Sequence, residues 1–202
     1  MCHIGFIPAV NREAFSSTFR NQIQFYTEPK PVPDDRLYPI EDGSTIDLGS
    51  RALDVRYAPG HAFHQVVFYD AASDAVFAAD AAGIYAQHVD RVLPTSPPPG
   101  FDLEGVIEDA RMLQEIDPET ICYGHFGPAA ADEHLKTYIE VIAEWVESIA
   151  EKRSELDDDE AVIDYFIETS DVTDVWDDPK GTEEVILNTR GVLHYLDNRS
   201  ES

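Results

Sequence analysis

Short apolar runs broken by turn-forming clusters fill the first half of this chain, and long helical repeats of apolar positions fill the second. Residues 37–40, 45–48 and 52–57 read as strands, divided by Glu41-Asp42-Gly43-Ser44 and by Asp47-Leu48-Gly49-Ser50. Two further runs, 65–69 and 75–79, flank Asp70-Ala71-Ala72-Ser73-Asp74, which predicts an antiparallel hairpin. Upstream, Phe15, Phe19, Ile23 and Phe25 predict a helix over 11–26, ended by the proline-rich stretch Lys30-Pro31-Val32-Pro33.

Beyond residue 80 the period changes. Leu93-Pro94-Thr95-Ser96-Pro97-Pro98-Pro99-Gly100 is a rigid, non-helical crossing. Asp102 is placed to cap a helix with Leu103, Val106, Ala110 and Leu113 on one face, stopping near Asp117-Pro118. A strand at 120–123 follows. The strongest helical stripe, Leu135, Tyr138, Ile142, Trp145 and Ile149, lies in 131–153, and two more helices are expected from Asp157 through Ile167 and over 183–196. Strands first and helices last, without an internal repeat, give an α+β domain over residues 1–153 with a helical extension, 154–202, packed on it.

Charge narrows the partners. Lys and Arg number 14 against 40 Asp and Glu, a formal charge of −26, which repels a phosphate backbone or an anionic membrane, so nucleic acid and lipid surfaces are excluded as expected partners. Such an acidic surface resembles that of proteins from salt-loving organisms, where salt screens the self-repulsion. Two cysteines, Cys2 and Cys122, form neither a disulfide scaffold nor a cysteine-rich metal site, which suits a reduced compartment. With no segment near the roughly 20 apolar residues that cross a bilayer, a cytoplasmic location is expected. No Gly-x-Ser-x-Gly elbow and no phosphate-cradling glycine loop are present.

The candidate chemistry lies at three strand ends: His61 in Ala58-Pro59-Gly60-His61, Asp80 after Phe77-Ala78-Ala79, and His125 in Tyr123-Gly124-His125-Phe126-Gly127-Pro128. An antiparallel pair returns the chain to the end it left, so His61 before the hairpin and Asp80 after it are expected to meet. A carboxylate leaving an apolar strand is costly to bury unless it is paired or metal-bound, and it has one oxygen to offer each of two ions. Each residue also has a plain structural alternative: a hydrogen-bonded histidine at 61 or 125, a turn former at 80.

In their order and strand-end setting these motifs resemble the metallo-beta-lactamase fold family, its glyoxalase-like and lactonase-like hydrolases in particular. The resemblance implies an αββα sandwich holding two zinc ions that hydrolyses an ester, thioester, lactone or phosphoester. It implies His61 as a ligand of the first ion, Asp80 as the carboxylate shared by both and holding the water, and His125 as a ligand of the second.

The family's His-x-His-x-Asp-His cluster does not occur in this sequence; His3 stands alone, and Gln65 occupies a position where many relatives carry histidine. His64, His88, His134 and His194 do not rebuild the cluster, and His134 reads as a helix-surface residue. The expectation is therefore the C-terminal portion of a metal-dependent hydrolase, with zinc weakly held or absent and little activity on its small-molecule substrate. The alternatives are a non-catalytic interaction module that self-associates, or a half-domain complemented by a partner chain. Substrate choice is expected to rest on loop shape, the candidates being residues 81–100 and the late helical region with Tyr85, Phe101 and Tyr138, for which ordinary packing is the plain alternative.

Overall fold

The computed structural model describes residues 32–131, 133–171 and 174–200, so the helix expected over 11–26 lies outside the described residues. The chain divides at Ile40–Glu41 into two units. In the first, the described residues hold one short 3-10 turn, Asp34–Arg36. The strand expected at 37–40 does not form: Pro39 has no N–H to give a ladder, and Leu37 and Tyr38 are 48% and 85% exposed, so no face is buried.

The second unit is an α+β sandwich. Its strands are β1 (Thr45–Asp47), β2 (Ala52–Tyr57), β3 (Val66–Asp70), β4 (Ala75–Ala79), β5 (Ile84–Ala86), β6 (Arg91–Leu93), β7 (Thr120–Tyr123) and β8 (Pro128–Ala130). Helix α1 (Leu103–Ile116) precedes β7, and α2 (His134–Leu156), α3 (Asp159–Thr169) and α4 (Asp178–Ser200) close the chain. Six strands form one sheet in the order β1-β2-β3-β4-β7-β8, antiparallel throughout except for the parallel pair β4·β7. That parallel step needs a long crossover, supplied by the β5·β6 ribbon and α1. The ribbon and β8 are absent from the sequence expectations, because three-residue strands are too short to show alternation.

Alternation along the strands sets the two faces of the sheet. Val67, Val76, Ala78 and Ile121 are fully buried and pack with Leu113 of α1 and Leu135 of α2. The opposite face carries the in-register row Val55, Phe68, Phe77 and Cys122, where Phe77 remains 44% exposed. A second core joins α1 to the three later helices through Val106, Tyr138, Ile142, Ile149, Val162 and Val192. Tyr138 and Phe101 are buried packing residues, as their apolar settings suggest.

Helix ends follow local chemistry. The Asp102 carboxylate accepts the Gly105 N–H at the start of α1, and Asp117 ends the helix in the left-handed conformation before Pro118. The hairpin turn is held by Asp70, which accepts the Ala72 N–H and the Ser73 hydroxyl and pairs with Arg51; the Ser73 bond holds its carboxyl below the usual range.

The proline-rich crossing is fastened to α4. Ser96 N–H donates to Asn188 Oδ1 at 2.5 Å, and its hydroxyl donates to the Asn188 carbonyl at 2.9 Å and accepts the Trp145 indole N–H at 3.1 Å. Gly191 is required there, since a Cβ on it would lie 1.6 Å from the Ser96 carbonyl oxygen. This clamp fixes the neighbouring Thr95, which faces the site described next.

Candidate metal centre

Three loops at one end of the sheet converge. His61 follows β2, Asp80 follows β4 and His125 follows β7. His61 Nε2 lies 3.6 Å from one Asp80 oxygen, Oδ2, and His125 Nε2 lies 3.6 Å from the other, Oδ1. All three sequence-derived candidates are thus brought together through a single carboxylate.

The aspartate is aimed by an irregular backbone. The β4·β7 register slips between Phe77 and Ala79, and Ala79 adopts φ 47°, an unusual value for a residue with a Cβ. Phe126, beside His125, sits at φ 61°. Two such residues flanking one cluster store strain that the surrounding structure must hold in place. Gly124 N–H donates to the Ala79 carbonyl at 3.1 Å and joins the two loops.

His61 is held from both sides. Its Nδ1 lies 3.4 Å from the Thr95 hydroxyl, which leaves Nε2 turned to Asp80. Burial lowers its pKa, opposed by the charge of Asp80, so the imidazole is the neutral, ligand-competent form at pH 7. The preceding Gly60 is stapled to α1: its N–H donates to Asp109 Oδ2 at 2.7 Å, and its carbonyl accepts the Asp102 N–H at 2.9 Å.

Asp109 is a supporting residue of the site that the sequence reading misses, although it lies on the buried face of α1 between Val106 and Leu113 and is 6% exposed. Burial pushes its carboxyl up to about 6, against the favourable Gly60 hydrogen bond. The folded chain therefore takes up this proton near pH 6 and the unfolded chain near 4, so this carboxyl adds stability as pH falls through that window. Asp109→Asn keeps an acceptor for Gly60 and removes the titration. Its stability relative to wild type is expected to be roughly 2 kcal/mol more favourable at pH 7 than at pH 4. Urea unfolding at both pH values checks this; an unchanged difference would show that the carboxyl does not titrate there.

Around His125 the wall is aromatic. Trp176, from the segment before α4, meets the imidazole edge-on at 5.6 Å and packs on Phe126 at 4.8 Å, and His88 lies 5.3 Å from Phe126. His134 is not a plain surface residue: its ring lies 4.0 Å from that of Tyr85 and its Nδ1 is buried, because α2 starts beneath the β5·β6 ribbon rather than in solvent. His64 is exposed and packs edge-on against Phe63. Gln65 donates to the Ala78 carbonyl at 3.5 Å, so it supports β4.

The cluster suits zinc in type and spacing. Two donors about 2.0–2.1 Å from a common ion at a tetrahedral angle are about 3.3 Å apart, close to both observed separations. Asp80 Oδ1 is buried without a hydrogen-bond partner among the described residues, an uncompensated acceptor that an ion would satisfy. In number the donors fall short: each ion position has one imidazole and one carboxylate oxygen, and no group of three or more His, Cys, Asp or Glu that could hold an ion occurs among the described residues. A catalytic zinc normally has three protein ligands.

A family model described as the metallo-beta-lactamase superfamily matches residues 3–125. Over 111 residues the chain is 33% identical to the metallo-beta-lactamase fold-containing protein ST1585 of Sulfurisphaera tokodaii, a match covering 53% of this chain and 40% of that protein. The crystal structure of ST1585 from Sulfolobus tokodaii, an archaeal metallo-beta-lactamase superfamily protein, aligns with a TM-score of 0.60 at 21% identity over 90% of this chain and 61% of that one. The metallo-beta-lactamase family protein TTHA1429 from Thermus thermophilus aligns with a TM-score of 0.54 at 18% identity over 94% and 62%. At these identities the two structures establish the fold alone. The chain spans less than two thirds of the length of each relative.

Proposed function

Because this chain belongs to the metallo-beta-lactamase superfamily, we propose that it provides His61, Asp80 and His125 to a two-zinc centre hydrolysing an ester, thioester or lactone in the cytoplasm. The observation that supports this reading is the single carboxylate whose two oxygens each face a different imidazole at 3.6 Å. When bound, zinc would polarise the substrate carbonyl and lower the pKa of a bound water. The chain's own residues do the positioning. Thr95 and the Gly60 staple orient His61, the strained turn at Ala79 aims Asp80, and Trp176 braces His125. With two donors per ion, the remaining ligands come from outside the described residues, and zinc is held weakly without them.

The test is hydrolysis of p-nitrophenyl acetate, an acyl thioester and a γ-lactone by the purified chain with zinc, before and after a chelator. Slow turnover of at least one compound, removed by the chelator and restored by zinc, is expected. Zinc-independent turnover, or none on any compound with zinc bound, would overturn the reading.

A second reading, a half-domain that self-associates or is complemented by a partner chain, is favoured by Phe77, which is 44% exposed beside the part-buried Phe68 and Cys122 on the sheet face away from α1 and α2, while Val55 at the end of that row is already buried. It predicts a sedimentation mass above that of one chain, and Phe77→Lys is expected to reduce that mass. Among the described residues no helix is long and apolar enough to cross a membrane.

A further inference from the structure

A cavity of about 320 Å³ lies between β6, α2, α3 and α4. Both tryptophans of the chain, Trp145 and Trp176, line it together with Phe166. His61, Asp80 and His125 do not line it; Trp176 stands between, lining the cavity and packing edge-on against His125. The volume lies at the small end of ligand pockets, and the wall has their usual make-up, aromatic with a few polar groups.

One of those groups is set apart by its burial, since the other described arginines without a carboxylate are either exposed to water, as Arg36 and Arg111 are, or bonded to a carbonyl, as Arg56 is to that of Val55. Every lysine and arginine of α2 and α4 pairs with a carboxylate, as an acidic surface makes easy. The guanidinium of Arg91, a half-buried residue of β6 facing the same cavity, makes no hydrogen bond or ion pair among the described residues. A partly desolvated guanidinium without a counter-ion is costly, and its planar fork matches a carboxylate. The two acidic groups of the wall do not supply that counter-ion: Glu184 is engaged by Lys180, and Asp171 is exposed to water. Ser170 adds a hydroxyl whose oxygen is buried and has no partner among the described residues.

We propose that this cavity binds a small apolar carboxylate, its ring or chain against Trp145, Phe166 and Trp176 and its carboxylate on Arg91. The site is separate from the metal centre and stands whether or not zinc hydrolysis is found.

Because both tryptophans line the cavity, their fluorescence reports its occupancy. The full chain is titrated with phenylacetate and with phenylacetamide, which has the same ring but no charge. Phenylacetate is expected to give a saturable change with an affinity about tenfold or more above that of the amide, the size of a lost charge-assisted hydrogen bond. Arg91→Gln should bring the acid down to the affinity of the amide, and Arg91→Lys should keep most of the preference. No saturable change with either compound, equal affinities in the wild type, or an undiminished preference in a folded Arg91→Gln would each overturn the proposal. The wild-type comparison decides the matter even if the glutamine variant fails to fold.

Discussion

Gly60→Ala is expected to destabilise the fold by about 3 kcal/mol or more and to dislodge His61 with it. A Cβ at this position would lie 2.1 Å from the Val106 nitrogen and 2.3 Å from the Gly105 carbonyl carbon. Both are backbone atoms in the first turns of α1, so no side chain can rotate aside, and the loop or the helix must withdraw. Withdrawal breaks the Gly60 bonds to Asp109 and Asp102 and leaves a 6%-exposed carboxylate without its donor. The Asp109 carboxyl should then rise further from the ordinary range, and the 3.6 Å approach of His61 to Asp80 should be lost. Urea unfolding measures the first effect and zinc affinity the second. A variant within about 1 kcal/mol of wild type would mean that the loop is not seated on the helix.

That staple also marks the limit of what the sequence made legible. The hairpin, the strand at 120–123 and the four late helices follow from alternation, helical period and capping residues, although the last helix, expected over 183–196, runs Asp178–Ser200 because its polar ends carry no apolar stripe. The meeting of His61 with Asp80 followed from antiparallel return alone. His125 joins them because β7 pairs with β4, a parallel contact between strands about 40 residues apart that no local pattern announces. Asp109 was visible in principle, as a carboxylate on the apolar stripe of α1, but an acid beside Glu108 reads as one more member of an acidic surface. Trp176 could not be found in this way. Its place against His125 depends on how α3 and α4 fold back over the β5·β6 ribbon, a packing result with no sequence period. The Ala79 turn was likewise hidden, since Ala78-Ala79 gives no hint of positive φ.

Asp80→Asn should abolish whatever zinc binding the chain has at both positions, with affinity falling by at least about a hundredfold, since even partners one shell further out cost about 10–100-fold. The reason is the division of labour within one side chain. Oδ2 faces His61 and Oδ1 faces His125, so the carboxylate is the one group common to both ion positions. An amide keeps the shape but offers one oxygen and one NH2, and it removes the negative charge that offsets repulsion between two cations. His125→Gln touches only one position and should leave the other, so the two variants separate by stoichiometry in equilibrium dialysis. A metal-free readout accompanies this. The Asp80 charge opposes the burial that lowers the His61 pKa, so in Asp80→Asn the His61 imidazole should titrate lower still, observable by NMR of the ring protons. Retained zinc affinity would remove Asp80 from the centre. An unmoved His61 titration, with zinc lost, would mean that the two side chains meet only when the ion is present.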